Sequence, residues 1–419
     1  MNYKRTKHAC YFAYLSMSTV FSLPPMLFVT FREMYGISYT LLGTLVLTNF
    51  CTQMLVDFAF TLFTKYFNIK ATIRVMPLIT TLGMLVYSII PNLFPQFAFA
   101  GLFTGTVIFS ISAGLSEVLL SPTVAALPSE NHDRDMSLLH SLYGYGVVIT
   151  VLLSSLYFKL FGTQNWMYLM LFLSTLPVIC SMMFFTSPIP DMDISHNTSV
   201  DSSNRRPMGI FLCFLCIFAG GASENTMTNW ISGFIENALH ISKTLGDVLG
   251  LTMFAVLLAF GRTLYAKYGK NISKVLLIGM ISASACYLIA GLSTVPFVSM
   301  VACVLVGLCT SMLWPGSLIL MEDNYPQIGV FAYALMAAGG DLGSSIAPQM
   351  LGVVVDMVSS SRFAAQLGNK LSLSAEQIGM KAGVITSAIF PIIGTIFLII
   401  TIRYFKKNRS KKDTKNEKY

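Results

Sequence analysis

Charge is scarce in this sequence. Only 11% of its 419 residues are Asp, Glu, Lys or Arg, against about a quarter in a soluble domain. With 54% hydrophobic residues and a mean hydropathy of +0.68, the chain could not cover a water-facing surface. Apolar runs of about 20 residues recur along its whole length, so a soluble fold is excluded and lipid is the solvent for most of the chain.

Other absences narrow the field. No nucleotide-phosphate loop is present, so ATP drive within this chain is not expected. No Cys, His, Ser or Asp constellation has catalytic spacing, so no enzyme and no cofactor are expected. The eight cysteines lie inside apolar runs, among them Cys10, Cys51, Cys213, Cys216 and Cys303. Cys213-Phe-Leu-Cys216 has the spacing of a metal knuckle, but no second Cys/His pair accompanies it. These residues read as small apolar helix positions, and no metal is expected. No cleavable signal peptide is evident. The first apolar run is long enough to span and is followed at once by another, so it is expected to be retained.

The net charge of +8 does not describe a nucleic-acid groove. Eight of the 27 basic residues sit between Arg403 and Lys418, and others fall in short gaps between apolar runs. That is the placement of positive charge on the cytoplasmic side of a membrane protein, not a basic surface with interleaved aromatics. No nucleic-acid partner is expected.

What is present is a series of twelve candidate spans. The first six run about 9–31, 39–63, 72–94, 97–126, 138–160 and 165–187. The second six run about 208–233, 243–266, 273–296, 298–321, 329–357 and 382–404. Each can cross roughly 30 Å of hydrocarbon at about 1.5 Å per residue. Residues 188–207 are polar, rich in Ser and Pro and without periodicity, which makes them a linker between an N-terminal half (1–187) and a C-terminal half (208–404). A basic tail, 405–419, follows. With the N-terminus in the cytoplasm, 20 of the 27 Lys and Arg residues fall on that side. Both termini and the linker are therefore expected to be cytoplasmic.

The halves resemble each other. Ile37-Ser38-Tyr39-Thr40-Leu41 opens the second span and Ile241-Ser242-Lys243-Thr244-Leu245 the eighth. Pro122 precedes Asn131 by nine residues at the end of the fourth span, and Pro315 precedes Asn324 by nine at the end of the tenth. The expected fold is all-α: twelve transmembrane helices in two pseudo-symmetric six-helix halves, the arrangement of the major facilitator fold.

The chain resembles the major facilitator superfamily over nearly its full length. Of that family's basic loop signature, Phe63-Thr-Lys65-Tyr-Phe-Asn-Ile-Lys70 keeps only the cations, while Gly261-Arg262-Thr-Leu-Tyr-Ala-Lys267-Tyr-Gly269-Lys270 is closer. Within the superfamily, Gly114-Leu-Ser-Glu117-Val-Leu-Leu-Ser121-Pro122 is similar to the fucose-permease group of sugar/proton symporters. In that group a fourth-span Glu shortly before an Asn-Pro pair carries the coupling proton. Glu117 stands where that acid would be, and Ser121 replaces the Asn. Where the prototype has a first-span Asp, this chain has Ser22-Leu23-Pro24-Pro25. The strings Gly220-Gly-Ala-Ser-Glu224 and Gly339-Gly340-Asp341-Leu-Gly343 are similar to bacterial members of the same broad group.

A carboxylate in hydrocarbon costs about 2.5–3.5 kcal/mol on insertion scales, so each one within a span needs a reason. Four lie well inside the spans above: Asp57, Glu117, Glu224 and Asp341. Glu117, flanked by Gly114 and Ser116, is either a proton-coupling acid or a packing Glu bonded between helices. Asp341 lies among small residues and Pro348 in the eleventh span, with coupling and packing equally open. In the seventh span, Asn225 and Asn229 share one helix face beside Glu224 and Trp230. Amides for hydroxyls and an indole for a sugar ring suit a carbohydrate, while a polar helix end near the interface is the alternative. Asn49, Gln53 and Asp57 form a stripe in the second span, read as gate or structure, and Arg262 lies near the inner end of the eighth. Tyr143 and Tyr145 of the fifth span and Trp314 of the tenth complete a candidate lining, with His140 a weaker candidate.

The leading expectation is a monomeric secondary transporter in a bacterial inner membrane, with sugar-like solute and proton as cargo. A drug/proton antiporter and a non-transporting receptor on the same fold are the alternatives.

Overall fold

In a computed structural model, residues 3–63, 66, 68–129, 132–190, 206–325 and 330–416 are described. Most of the linker, Glu130, Asn131 and the side chain of His140 lie outside the described residues. Among those described, the regular structure is helical throughout.

Among the described residues, eleven helices are long and apolar enough to cross a membrane, and a bent pair makes the twelfth. The first span is that pair, Lys4–Met26 and Phe28–Tyr35, meeting at 52°. The second to sixth are Tyr39–Phe60, Ile69–Leu93, Pro95–Ala125, Ser141–Phe161 and Thr163–Phe185. The seventh to twelfth are Pro207–Ala238, Lys243–Tyr268, Ile272–Leu292, Pro296–Asn324, Ala332–Ser359 and Ala375–Asn408.

The break in the first span follows from sequence. Pro24 and Pro25 lie inside the helix, and each removes an amide donor and crowds the preceding turn. The chain answers with a tightened turn in which the Leu27 amide donates to the Pro24 carbonyl at 3.0 Å. Elsewhere corresponding spans begin alike. Asn68 caps the third span by accepting from the Ala71 amide, and Asn271 caps the ninth by accepting from the Lys274 amide. Such a cap satisfies one of the donors that a helix start leaves unpaired. Pro95 and Pro296 occupy the first turns of the fourth and tenth spans, where no amide is missed.

Spans pack through small residues. A Cβ on Gly83 would lie 2.5 Å from the Phe109 amide nitrogen, and one on Gly105 would lie 2.6 Å from that of Tyr87. Glycine at both positions therefore lets the third and fourth spans approach backbone to backbone. An additional short helix, Arg362–Leu371, capped by Ser361, joins the eleventh and twelfth spans, and the span list from sequence had no place for it.

The chain divides into two compact units. The first comprises Met1–Ser195 with Asn229–Ala255, and the second comprises His196–Thr228 with Val256–Tyr419. Each has its own core. Leu115, Leu119 and Leu120 of the fourth span meet Ile73, Met76, Cys180 and Phe184 in the first. Cys213, Cys216 and Ile217 meet Leu276, Leu313, Met336 and Leu398 in the second. The Cys213–Cys216 pair is thus core material, with the Cys216 sulfur 3.4 Å from the Thr401 hydroxyl.

Candidate functional site

In the first unit the second and fourth spans carry a polar seam. Asn49, Gln53 and Asp57 recur at helical spacing and lie on one face. Gln53 is buried and donates to the Asn49 side-chain oxygen at 3.2 Å. Ser110 of the fourth span donates to that same oxygen at 2.7 Å. One turn further, Gly114 lets the spans close: a Cβ there would stand 3.0 Å from that of Val56 and 3.2 Å from the Gln53 carbonyl. Glu117 follows Gly114 by three residues and so emerges on the same side of its helix.

Glu117 lies within electrostatic reach of Asp57 and of the Tyr14 hydroxyl. The residue is exposed, although it sits about 12 Å inside the nearer end of its span at 1.5 Å per residue. Asp57 keeps one carboxylate oxygen buried without a hydrogen-bond partner. Ser121 shares a 3.1 Å hydrogen bond with Tyr14, which fastens the first span to the fourth just beyond the acid. The seam thus brings two carboxyls together, one of them open, with tyrosine and serine hydroxyls beside them. Chemically it can accept and release a proton.

The second unit contains an ion pair. Glu224 and Arg262 approach to 3.2 Å, with side-chain exposures of 15% and 44%. Arg262 also donates from Nε to the Ser311 carbonyl at 3.0 Å. That carbonyl belongs to the break in the tenth span, between Thr310 and Leu313. A neighbouring bond joins the seventh and eleventh spans: the Asn225 amide donates to the Ser344 hydroxyl at 2.8 Å, a kind of contact worth about 1 kcal/mol in a membrane.

The glycines of these two spans serve close packing. A Cβ on Gly221 would lie 2.5 Å from the Gly340 carbonyl oxygen, and one on Gly340 would enter the six-membered ring of Trp314. Trp314 therefore lies flat against the eleventh span, partly exposed. Asp341, next along, is 9% exposed.

The remaining candidates disperse. Trp230 is fully buried, edge-on to Phe28 at 5.2 Å and tilted against Tyr39 at 5.8 Å. Asn229 is buried in the same unit. Tyr143 packs edge-on to Phe21 at 5.9 Å. Tyr145 is exposed and falls on the stripe Leu138, Ile149, Leu152 and Leu156, all exposed apolar side chains of one helix face. That face suits lipid. Glu117, Asp57 and Gln53 are thus brought together, as are Glu224, Arg262 and Asn225, whereas Tyr145 stands apart from Tyr143.

Two further acids lie near the ends of spans: Asp247 is completely buried and Glu236 largely so. Both face Lys243, at 3.6 and 3.3 Å, and Lys243 also donates to the Met26 carbonyl beside the bend in the first span. Lys243 and Asp247 are four residues apart, a helical ion-pair spacing that the sequence did display. Arg262, placed by the sequence near the inner end of the eighth span, is bonded to Glu224.

A polytopic helical bundle with ionisable groups facing one another inside its spans defines a membrane protein built to handle solutes or ions. The chain matches the family model described as Major Facilitator Superfamily over residues 10–348 and 213–418, and it belongs to that family of transporters. A bacterial homologue of the human lysosomal transporter Spinster, in an inward-facing and occupied conformation, has a similar structure. The TM-score is 0.76 at 13% identity, covering 96% of this chain and 97% of that one. A D-xylose–proton symporter is similar with a TM-score of 0.72 at 11% identity, covering 93% and 97%. The E. coli fucose:proton symporter is similar at 0.59 and 12%, covering 96% and 99%. No curated protein sequence matches. The chain is a multi-pass membrane transporter of a small-molecule solute.

Proposed function

We propose that this transporter imports a sugar or similar polar solute together with a proton, by alternating access. The observation that carries the reading is Glu117, an exposed acid within a span and within electrostatic reach of Asp57 and Tyr14. A carboxyl in that position would cost insertion energy without return unless its protonation were used. Asp341 is the second proton-coupling candidate. Asn225, Asn229, Glu224, Trp230, Tyr143, Tyr145 and Trp314 are the solute-contact candidates, and Asp57, Gln53 and Arg262 the gate. The similar D-xylose–proton and fucose:proton symporters support sugar and proton as cargo. The same acids would serve a drug/proton antiporter. The partly exposed amide of Asn225 in the seventh span favours a polar solute. The protein would act as a monomer in a bacterial inner membrane, with both termini cytoplasmic.

The test uses proteoliposomes loaded with a candidate sugar. Glu117→Gln keeps the shape of a protonated carboxyl, so it should exchange solute across the membrane yet fail to accumulate it on a pH gradient. A gradient can do work only through a group whose protonation differs between the two facing states. Asp341→Asn serves as the control. Should Asp341→Asn alone lose accumulation, the proton is carried there. Normal accumulation by both variants would exclude coupling through either acid.

A further inference from the structure

The Glu224–Arg262 pair is built in a way that a purely structural ion pair would not need. Glu224 lies near the middle of the seventh span, about 21 Å from Ala238 at 1.5 Å per residue. Arg262 reaches it from the eighth span. Arg262 stands about 9 Å from the end of its span at Tyr268, at 1.5 Å per residue, with 44% of its side chain exposed, so its open side reaches water. The fork is unevenly used. Nε is held by the Ser311 carbonyl at 3.0 Å, and one terminal nitrogen spans both Glu224 oxygens at 3.2 and 3.4 Å. Those bonds are longer than the 2.7–2.9 Å usual between charged partners. The other terminal nitrogen has no partner among the described residues.

We infer that Arg262 is a receptor for a carboxylate on the solute, and that Glu224 occupies it only while the solute is absent. The Ser311 carbonyl anchors the guanidinium from behind, leaving its outer edge to present two parallel donors to a carboxylate, a geometry that arginine provides and lysine does not. Asn225 is the next residue after Glu224, and its amide is bonded to the Ser344 hydroxyl. Ser344 is fully buried, so the partly exposed Asn225 side chain is the group that meets a hydroxyl beside the carboxylate. The solute class this defines is a hydroxylated monocarboxylate of sugar size, a sugar acid rather than a neutral sugar. The inference rests on the transport reading above, narrows its substrate, and moves Arg262 from gate to solute contact and Glu224 from solute contact to competitor.

Internal competition makes a distinctive prediction. Glu224 and the solute carboxylate cannot hold the same fork, so removing the Glu224 charge should strengthen binding of an acid. A Glu224 that contacted solute directly would give the opposite sign. The measurement is calorimetric titration of detergent-purified protein with D-glucuronate and D-galacturonate, each against its neutral parent, D-glucose or D-galactose. The acids should bind at least about tenfold tighter than their parents. Glu224→Gln should tighten the acids by about tenfold and leave the neutral sugars unchanged. Arg262→Lys, which keeps the charge and loses the fork, should weaken the acids by about tenfold, and Arg262→Gln should abolish their binding. Neutral sugars binding as tightly as the acids would overturn the inference. So would weaker acid binding in Glu224→Gln, or no acid binding to either wild type or that variant. Should a neutral sugar bind and accumulate on a proton gradient while the acids do not, the transport reading stands and this inference falls. Should the acids bind as described without proton-driven accumulation, the coupling falls and the receptor stands.

Discussion

Asp135 shows how much one side chain can gather. The Lys7 ammonium approaches its carboxylate at 2.6 Å, the Ser129 hydroxyl donates at 2.7 Å and the Tyr11 hydroxyl at 3.2 Å. The Lys7 bond first, and the Ser129 bond after it, hold this carboxyl below the usual carboxylate range. A group depressed in the folded state stabilises the fold at pH above its ordinary value and loses that contribution as pH falls through its folded value. Thermal unfolding in detergent should therefore show Asp135→Asn melting below wild type at pH 7. The gap should shrink below about pH 4, where an unperturbed Asp protonates. A gap independent of pH would mean that the charge of Asp135 contributes nothing. At this scale the sequence displays donors and acceptors but not their meetings. Glu117, Gln53 and Asp57 were legible from helical spacing and from the cost of polar groups in lipid. Tyr14, Ser110 and Ser344 were not, because a bond between residues about 60 to 120 positions apart leaves no local pattern.

At the scale of elements, the bend in the first span and the start of the eighth belong together. Lys243 is 10% exposed, Asp247 is not exposed at all, and Glu236 completes the cluster against the Met26 carbonyl. Ser232 also donates to Asp247, at 2.5 Å. Removing the cation alone leaves a buried carboxylate uncompensated, which costs about 3–5 kcal/mol, whereas removing both charges costs much less. Lys243→Met should accordingly lower the melting temperature sharply, and Lys243→Met with Asp247→Asn should recover most of the loss. Equal melting of the single variant and wild type would show that the cluster does not hold these spans. Pro24 and Pro25 account for the bend in the first span. The bond that occupies the bend came from a residue more than 200 positions later, and only the packed chain displays it.

At the scale of the whole molecule, twelve crossings would return the chain to the side on which it began, and the placement of the basic residues proposes the cytoplasm as that side. A reporter that works only in the cytoplasm, fused after Tyr419, should be active, while an alkaline-phosphatase fusion at the same point should be silent; the reverse pattern would overturn the orientation. The sequence by itself determined the class: lipid as solvent, helices as the spanning form, their number, and two related series of six. Those follow from composition and from the rule that a backbone in hydrocarbon must satisfy its own hydrogen bonds, which every stretch of about 20 residues obeys locally. Tertiary structure alone decided that Asn229–Ala255 joins the first compact unit, that Glu224 meets Arg262, and that the glycines of the seventh and eleventh spans serve close approach. Helix association in a membrane depends on shape and on single polar contacts between distant segments, because lipid tails are as apolar as the side chains they touch. No hydrophobic pattern along the chain encodes which small residue faces which partner; that is settled only when the helices are side by side.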